Sequence, residues 1–270
     1  MSDDASDPAR YFGREVRRAR LAAGLTLVEF GRLAGYHHAQ ISRIERGVRP
    51  ATLKFAQMCD KVFPGRSGWF EDFYRQSRKW AATPPWFRNW IEHEQRAISL
   101  KVWQPSQLSG LLQTEHYALA QLRTYPGATD EQIAERLAAR IARQAILTRE
   151  DPAAPMAWFL VDEAALHRCT GTAEVMADQL DHLVTVAAFP NVTVQVVPNV
   201  AHAALTGGFA IAEKADGAAA YLETALTGQV FEDSTAVQEL ATIFDALRTE
   251  ALRGTESLRL IEKVASEWRP

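Results

Sequence analysis

Residues 37–54 concentrate side chains that are suited to contacts with DNA. An arginine offers two parallel N–H donors that match the acceptor pair of guanine, and a small apolar side chain fits a thymine methyl group. The residues expected to contact base edges are His38, Ala39 and Arg43. Those expected on the sugar-phosphate backbone are His37, Gln40, Ser42, Arg46, Arg49 and, as a weaker candidate, Lys54. A solvated surface helix carries similar residues, so the elements that position them decide the interpretation.

The spacing of residues 25–47, LTLVEFGRLAGYHHAQISRIERG, predicts two short helices joined by a tight turn. Thr26 can cap the first helix, Gly35 can adopt a positive φ in the turn, and Gly47 ends the second helix. The predicted inward positions are Phe30, Leu33 and Ala34 in the first helix and Ile41 and Ile44 in the second. Such a pair places its second helix in the DNA major groove.

Flanking segments with helical spacing complete a four- to five-helix bundle within residues 1–66. Their inward positions are Phe12, Val16 and Ala19 in residues 10–23, and Leu53, Ala56, Cys59 and Val62 in residues 52–62. The stretches RRARLAAGLT, FGRLAG and ISRIERG resemble phage-repressor-like helix-turn-helix domains of the xenobiotic-response-element type. The resemblance implies DNA binding and a structural pair between Arg20 and Glu45.

Two residues depart from the pattern of that family. His37 stands where Ser or Thr usually caps the second helix, and we expect this change to cost about 1 kcal/mol. Leu27 stands where many relatives have a polar residue that contacts the DNA backbone, which predicts fewer phosphate contacts from the first helix.

Charge separates the chain into two parts. Residues 10–66 contain 12 Lys and Arg against 4 Asp and Glu, whereas residues 81–270 contain 15 against 24. A basic module of this kind can neutralise DNA phosphates. The acidic remainder is a poor DNA surface, which indicates a sensing, pairing or regulatory part.

The predicted fold is mainly α with an α+β second domain. We assign residues 1–66 to the helix-turn-helix bundle, 67–85 to a helical connector and 86–270 to a domain of helices and a small sheet. The aromatic connector, with a helix over residues 69–82, favours core packing over base stacking. MAWFLV and NVTVQVVPN predict strands, and residues 130–149 predict an amphipathic helix.

The second domain also resembles a known family. WIEHEQRAISLKVWQPSQLSGLLQTEHYA, DEAALHRCTG, NVTVQVVP and GGFAIAE resemble the domain fused to helix-turn-helix modules in actinobacterial, antitoxin-like regulators of the Scr type. GLLQT is its most specific motif, although Ser109 stands where relatives commonly have Pro. The resemblance implies a small protein partner encoded nearby and implies no chemistry.

The second domain lacks the sequence motifs of an enzyme, with no HExxH, GxSxG, P-loop or GxGxxG, so we expect no catalysis, cofactor or metal. Its ionisable candidates are Glu92, His93, Glu94, His116, Glu163, His167, His182, His202 and Glu223. Glu163 and His167 are spaced for a surface ion pair or, less favourably, a metal site. Glu223 fits either a pocket lining or a solvent-facing strand position.

Composition predicts a cytoplasmic, nucleoid-associated location. The polar N-terminus resembles neither a signal nor a transit peptide, and no apolar run approaches the ~20 residues of a membrane span. Cys59 and Cys169 are expected to be buried apolar residues.

Two functions remain open at this point. The first is a transcriptional regulator that binds double-stranded operator DNA, as a homodimer on an inverted repeat, and whose second domain binds a small protein. The second is a regulator whose second domain encloses a metabolite. A large polar-lined cavity would favour the metabolite, and a broad apolar patch would favour the protein.

Overall fold

The computed structural model describes residues 8–82, 85–199, 207–224 and 227–269. The chain forms two separately packed units, Met1–Ala81 and Ala82–Pro270. The polar N-terminal segment, residues 1–7, and the candidate residue His202 lie outside the described residues.

Local chemistry sets the helix ends of the first unit. Its helices are α1 (Pro8–Ala22), α2 (Leu27–Ala34), α3 (His38–Glu45), α4 (Leu53–Val62) and α5 (Trp69–Ala82). The Thr26 hydroxyl accepts a hydrogen bond from the Glu29 N–H, and the Glu29 carboxylate accepts one from the Thr26 N–H. Gly35 and Gly47 follow α2 and α3 with φ of 71° and 69°, a region that side chains disfavour.

Aromatic rings from α5 belong to the core of the first unit. Phe70 is fully buried, and its ring centroid lies 5.8 Å from that of Phe12 and 6.0 Å from that of Phe63. Trp69 and Phe73 pack against the same cluster. The packing position predicted for these aromatics is therefore the one observed.

Two predictions about burial are wrong. Leu33 is 52% exposed, because Phe30, Gly31 and Ala34 form the buried face of α2 and Leu33 lies to one side of it. Cys59 is buried as expected, but Cys169 is exposed because it lies in an irregular loop rather than on an inward helix face.

The second unit is α+β, as the sequence predicts. Its elements are α6 (Pro85–Gln95), β1 (Ser99–Gln104), α7 (Glu115–Leu122), α8 (Asp130–Arg143), β2 (Met156–Asp162), α9 (Glu163–His167), α10 (Ala173–Ala187), β3 (Val192–Val197), β4 (Phe209–Lys214), β5 (Gly217–Glu223), β6 (Gly228–Phe231), α11 (Ser234–Glu250) and α12 (Gly254–Trp268).

The six strands form one mixed sheet in the order β3-β2-β1-β4-β5-β6. The pairs β1–β2 and β2–β3 are parallel, and the pairs β1–β4, β4–β5 and β5–β6 are antiparallel. Both faces are covered: Val102 and Phe159 pack in one core cluster with Leu180, and Trp103 packs in another with Phe244.

The outer edge of β3 is hydrogen-bonded by the segment that leads into α12. The Leu252 N–H donates to the Val196 carbonyl oxygen at 2.8 Å, and the Val196 N–H donates to the Ser257 hydroxyl at 3.0 Å. Ser257 is fully buried at this position. The backbone groups of Val196 that point away from β2 are therefore satisfied.

The helix predicted over residues 130–149 is shorter than expected. The α-helix ends at Arg143, and a 3₁₀ turn, Gln144–Leu147, follows. The Gln144 side chain donates to the carbonyl oxygens of Gly110 and Gln113 at 2.9 and 2.7 Å. These long-range hydrogen bonds, with the burial of Ile146, accompany the change of helix type.

Candidate nucleic-acid interface

The turn between α2 and α3 is held by close backbone packing. The Tyr36 N–H donates to the Gly31 carbonyl oxygen at 2.9 Å. A Cβ atom on Gly31 would lie 2.6 Å from the Tyr36 carbonyl oxygen, so this position accommodates only glycine without a shift. Together with the buried side chain of Ile41, these contacts fix the start of α3 against α2.

The other end of α3 is fixed against α1. A Cβ atom on Gly13 would overlap the Ile44 carbonyl oxygen, which shows how closely the two helices approach. The Arg20 guanidinium donates to both carboxylate oxygens of Glu45, at 2.6 and 2.9 Å, and to the Leu25 carbonyl oxygen at 2.9 Å. Arg20 and Glu45 are each 7% exposed, and this hydrogen bonding raises the pKa of Arg20.

The opposite face of α3 and the residues after it are open to solvent. The exposed members of the predicted set are His37, His38, Ala39, Arg43, Arg46, Arg49 and Lys54, and the partly buried ones are Gln40 and Ser42. The Arg46 Nε donates to the Ser42 carbonyl oxygen at 3.3 Å. Among the described residues, no hydrogen bond or ion pair holds the side chain of Arg43. The face therefore presents cationic donors, while the one carboxylate of α3 is turned into the core.

The N-terminus of α3 is capped in an unusual way. His37 Nδ1 accepts a hydrogen bond from the Ala39 N–H at 3.3 Å, and its ring lies 4.3 Å from that of His38. The imidazole thus takes the place of the usual hydroxyl. Leu27, the other departure from the family pattern, is partly buried against the core.

Each of the two units matches a known protein family. A helix-turn-helix domain family matches residues 12–62. A second family, described as a domain of unknown function (DUF5753), matches residues 87–263, more than half of the chain. The chain belongs to this family. No curated protein matches the chain, and no solved structure does either.

The first unit is therefore a helix-turn-helix DNA-binding domain, and the chain is a DNA-binding regulator. The fusion joins it to an α+β domain whose family carries no assigned activity. No helix in the described ranges is long and apolar enough to cross a bilayer.

The structure brings together only some of the described ionisable candidates of the second unit. Glu94 and Glu223 both interact with Arg143, whereas Glu163 and His167 each contact other groups. Glu163 accepts a hydrogen bond from the Asn199 N–H at 3.0 Å, while His167 lies 3.9 Å from Glu267. Nowhere in the described ranges do three or more His, Cys, Asp or Glu side chains come together to hold a metal ion.

Sequence reasoning missed two arginines of α8, Arg140 and Arg143. Both lie close to the GLLQT motif: a Cβ atom on Gly110 would lie 3.1 Å from an Arg143 nitrogen and 3.7 Å from Arg140 carbon atoms. The sequence predicts an amphipathic helix here, and its periodicity gave no reason to single out these arginines. Only the tertiary position of the motif reveals their surroundings.

Proposed function

We propose that this chain binds a specific operator as a homodimer and that its second unit binds a small protein partner encoded nearby. The observation that carries the DNA-binding part is the exposed, cationic face of α3, fixed to α1 through the buried pair of Arg20 and Glu45. The partner follows from the resemblance of the second unit to Scr-type, antitoxin-like regulators.

Position on α3 separates the proposed contacts into two classes. His38, Ala39 and Arg43 lie on the exposed face of the helix and are proposed to read base edges. The remaining candidates, His37, Gln40, Ser42, Arg46, Arg49 and Lys54, are proposed to contact sugar and phosphate. Arg20 and Glu45 act structurally, because their charged groups are directed at each other.

The small size of one helix-turn-helix unit supports a homodimer. One helix-turn-helix unit covers one half-site, and such units commonly read two half-sites one helical turn apart. The partner is supported by the acidic balance of residues 81–270 and by the length of this part, which exceeds the requirement for dimerisation alone.

Two alanine variants test the DNA contacts. Arg43→Ala should weaken binding to the operator by about 5- to 150-fold, the equivalent of one lost guanine contact, and change binding to random DNA much less. Arg46→Ala should weaken binding to both DNAs to a similar extent. Fluorescence anisotropy with the promoter of the chain's own gene measures both effects. Arg123→Ala, an exposed arginine of the second unit, is the matched control. Equal losses on both DNAs for Arg43→Ala would reject its assignment to a base.

Assembly and partner binding are tested separately. Sedimentation of the full chain at micromolar concentration should show a dimer, and a monomer would count against the operator arrangement. Purification from the native host should retain the product of a neighbouring gene, whose addition changes operator affinity. A stoichiometric small molecule that changes operator affinity, without any bound protein, would replace the partner with a metabolite.

A further inference from the structure

A buried group of polar and aromatic side chains in the second unit has hydrogen-bonding capacity that the protein does not use. Three elements contribute to this group, which we call the α6–α8–β5 cluster: Trp86, Phe87, Trp90 and Glu94 from α6, Arg140 and Arg143 from α8, and Tyr221 from β5. Four buried atoms of the cluster lack a hydrogen-bond partner within the described residues, namely Trp86 Nε1, Glu94 Oε2, Arg143 Nε and the Tyr221 hydroxyl. Unsatisfied buried groups are rare in native proteins and call for an explanation.

Two of these four atoms are explained by an ion pair. Arg143 Nε lies 3.2 Å from Glu94 Oε2, and the guanidinium lies 4.8 Å from the centre of the Phe87 ring. Burial raises the pKa of Glu94, while Arg143 acts in the opposite direction. The two donors that remain, Trp86 N–H and Tyr221 O–H, have no such explanation.

The Tyr221 ring packs against aromatic rings of α6, whereas its hydroxyl makes no hydrogen bond of normal geometry. The ring stacks on Trp90, with centroids 5.5 Å apart and planes inclined by 22°, and meets the edge of Phe87. Burial, and secondly the nearby Glu223 carboxylate, raise the pKa of the Tyr221 hydroxyl. The hydroxyl is thus a neutral donor at physiological pH. It lies against the Glu223 carboxylate, with which it interacts, but not with the geometry of a normal hydrogen bond.

Arg140 brings a positive charge that interacts with the Glu223 carboxylate without forming an ion pair with it. Its Nη1 atom donates to the side-chain oxygens of Gln113 and Gln121, at 2.8 and 2.5 Å. Among the described residues, no carboxylate lies within ion-pair distance of it. Burial and the neighbouring Arg143 lower the pKa of Arg140 to about 10. Among the described residues, the hydrogen-bond acceptors of this partly buried guanidinium are neutral amides, which compensate poorly for the loss of water around the charge.

The GLLQT motif, residues 110–114, accounts for the fixed position of Arg140. Gln113 also donates to the Leu108 carbonyl oxygen at 2.8 Å. Gln179, fully buried, donates to the Leu112 carbonyl oxygen and accepts from the Thr114 N–H, both at 2.7 Å. The most specific motif of the second unit therefore orients a cation.

One side of the cluster reaches solvent. Tyr125 is 54% exposed and is an electrostatic neighbour of both Arg140 and Tyr221. Glu223, on the same face of β5 as Tyr221, is also exposed, and burial of its carboxylate against the cluster raises its pKa. These two residues mark the side from which a ligand would approach.

We infer that the α6–α8–β5 cluster is a binding site for a small planar aromatic carboxylate. The carboxylate pairs with Arg140 and accepts hydrogen bonds from Tyr221 and Trp86, while the aromatic rings of α6 contact the ring of the ligand. Arginine suits a carboxylate because its donors are parallel, and aromatic walls with a few polar groups are typical of ligand sites. This inference goes beyond the proposed function and does not depend on DNA binding.

Calorimetric titration of the full chain, without DNA, tests the inference. The probes are two matched pairs, salicylate with salicylamide and indole-3-acetate with indole-3-acetamide, in which only the charge of the side group differs. At least one acid should bind one site per chain at sub-millimolar concentration, and its amide should bind at least about tenfold more weakly. Failure of both acids at millimolar concentration would overturn the inference, as would equal binding of acid and amide.

Variants then locate the site. Tyr221→Phe should weaken binding of the acid about three- to tenfold, the value of one hydrogen bond, and leave thermal unfolding of the free protein unchanged or slightly stabilised. Arg140→Gln should weaken it at least about tenfold. Arg168→Gln, an exposed arginine after α9, is the charge-matched control and should have no effect. Binding that survives Tyr221→Phe and Arg140→Gln in folded protein would place the ligand elsewhere and reject the assignment.

Discussion

Replacement of Glu45 by Gln should destabilise the first unit strongly. The substitution keeps the shape of the side chain but removes the charge, so the Arg20 guanidinium stays buried without its counter-ion. Both residues are 7% exposed, and Arg20 keeps its bond to the Leu25 carbonyl oxygen. Breaking a buried pair from one side costs about 3–5 kcal/mol, and the amide oxygen retains part of one hydrogen bond, so we expect about 3 kcal/mol. For a unit of this size, that loss corresponds to a decrease in melting temperature of about 12–24 °C.

Circular dichroism of the Met1–Ala82 fragment, which includes the core residues of α5, measures this change. Arg18 is a control, because it is exposed and its partner Glu15 keeps a second ion pair with Arg66, so Arg18→Ala should cost less than about 1 kcal/mol. The double variant Arg20→Met, Glu45→Leu should recover most of the lost stability, because apolar residues of similar volume avoid the unpaired charge. Glu45→Gln within about 0.5 kcal/mol of the native fragment would refute the reasoning, because the buried pair would then hold nothing in place.

Three further outcomes are expected. Phe70→Ala should lower the free energy of unfolding of the same fragment by about 3–5 kcal/mol, and a loss below 1 kcal/mol in urea titration would show that α5 is dispensable. Gly13→Ala should destabilise it despite a gain in helix propensity of about 1 kcal/mol, since the new Cβ meets the Ile44 carbonyl oxygen; a stabilised variant in thermal scans would contradict that approach. Burial, and then the Lys214 ammonium at 2.9 Å, lower the pKa of His93, so the unfolded chain binds this proton more readily and stability falls as the pH decreases from about 7. His93→Gln should therefore flatten the pH dependence of unfolding of the full chain between about pH 5 and 7, and an unchanged slope would exclude His93 as its source.

The helix boundaries of the first unit were accessible from the sequence because they depend on local chemistry. Thr26 and Gly35 act on their own backbone neighbours, so residue type and position are sufficient to identify them. Leu33 shows the limit of that reasoning. In a helix of only eight residues, periodicity defines an apolar side too loosely, and the packing partners decide which residues on that side are buried.

The α6–α8–β5 cluster could not be predicted from the sequence, for a different reason. Glu94 and Glu223 were visible as ionisable residues, but nothing in their local sequence indicates Arg143 as a shared neighbour. The cluster combines residues from α6, α8 and β5, which are far apart in the chain, and Arg140 is placed by glutamines from two further segments. The end of α8 at Arg143 likewise depends on hydrogen bonds from Gln144 to a distant loop.

The hydrogen bonds that Leu252 and Ser257 make to β3 have a consequence for self-association. A sheet can add strands from other molecules without limit only if both of its edges accept them. Because the chain itself blocks the outer edge of β3 at Val196, an added strand could not pair along the full length of β3. The other edge is β6, a four-residue strand with no partner on its outer side among the described residues. Pairing through β6 would end at two copies, so the fold can tolerate one unpaired edge without supporting fibril growth.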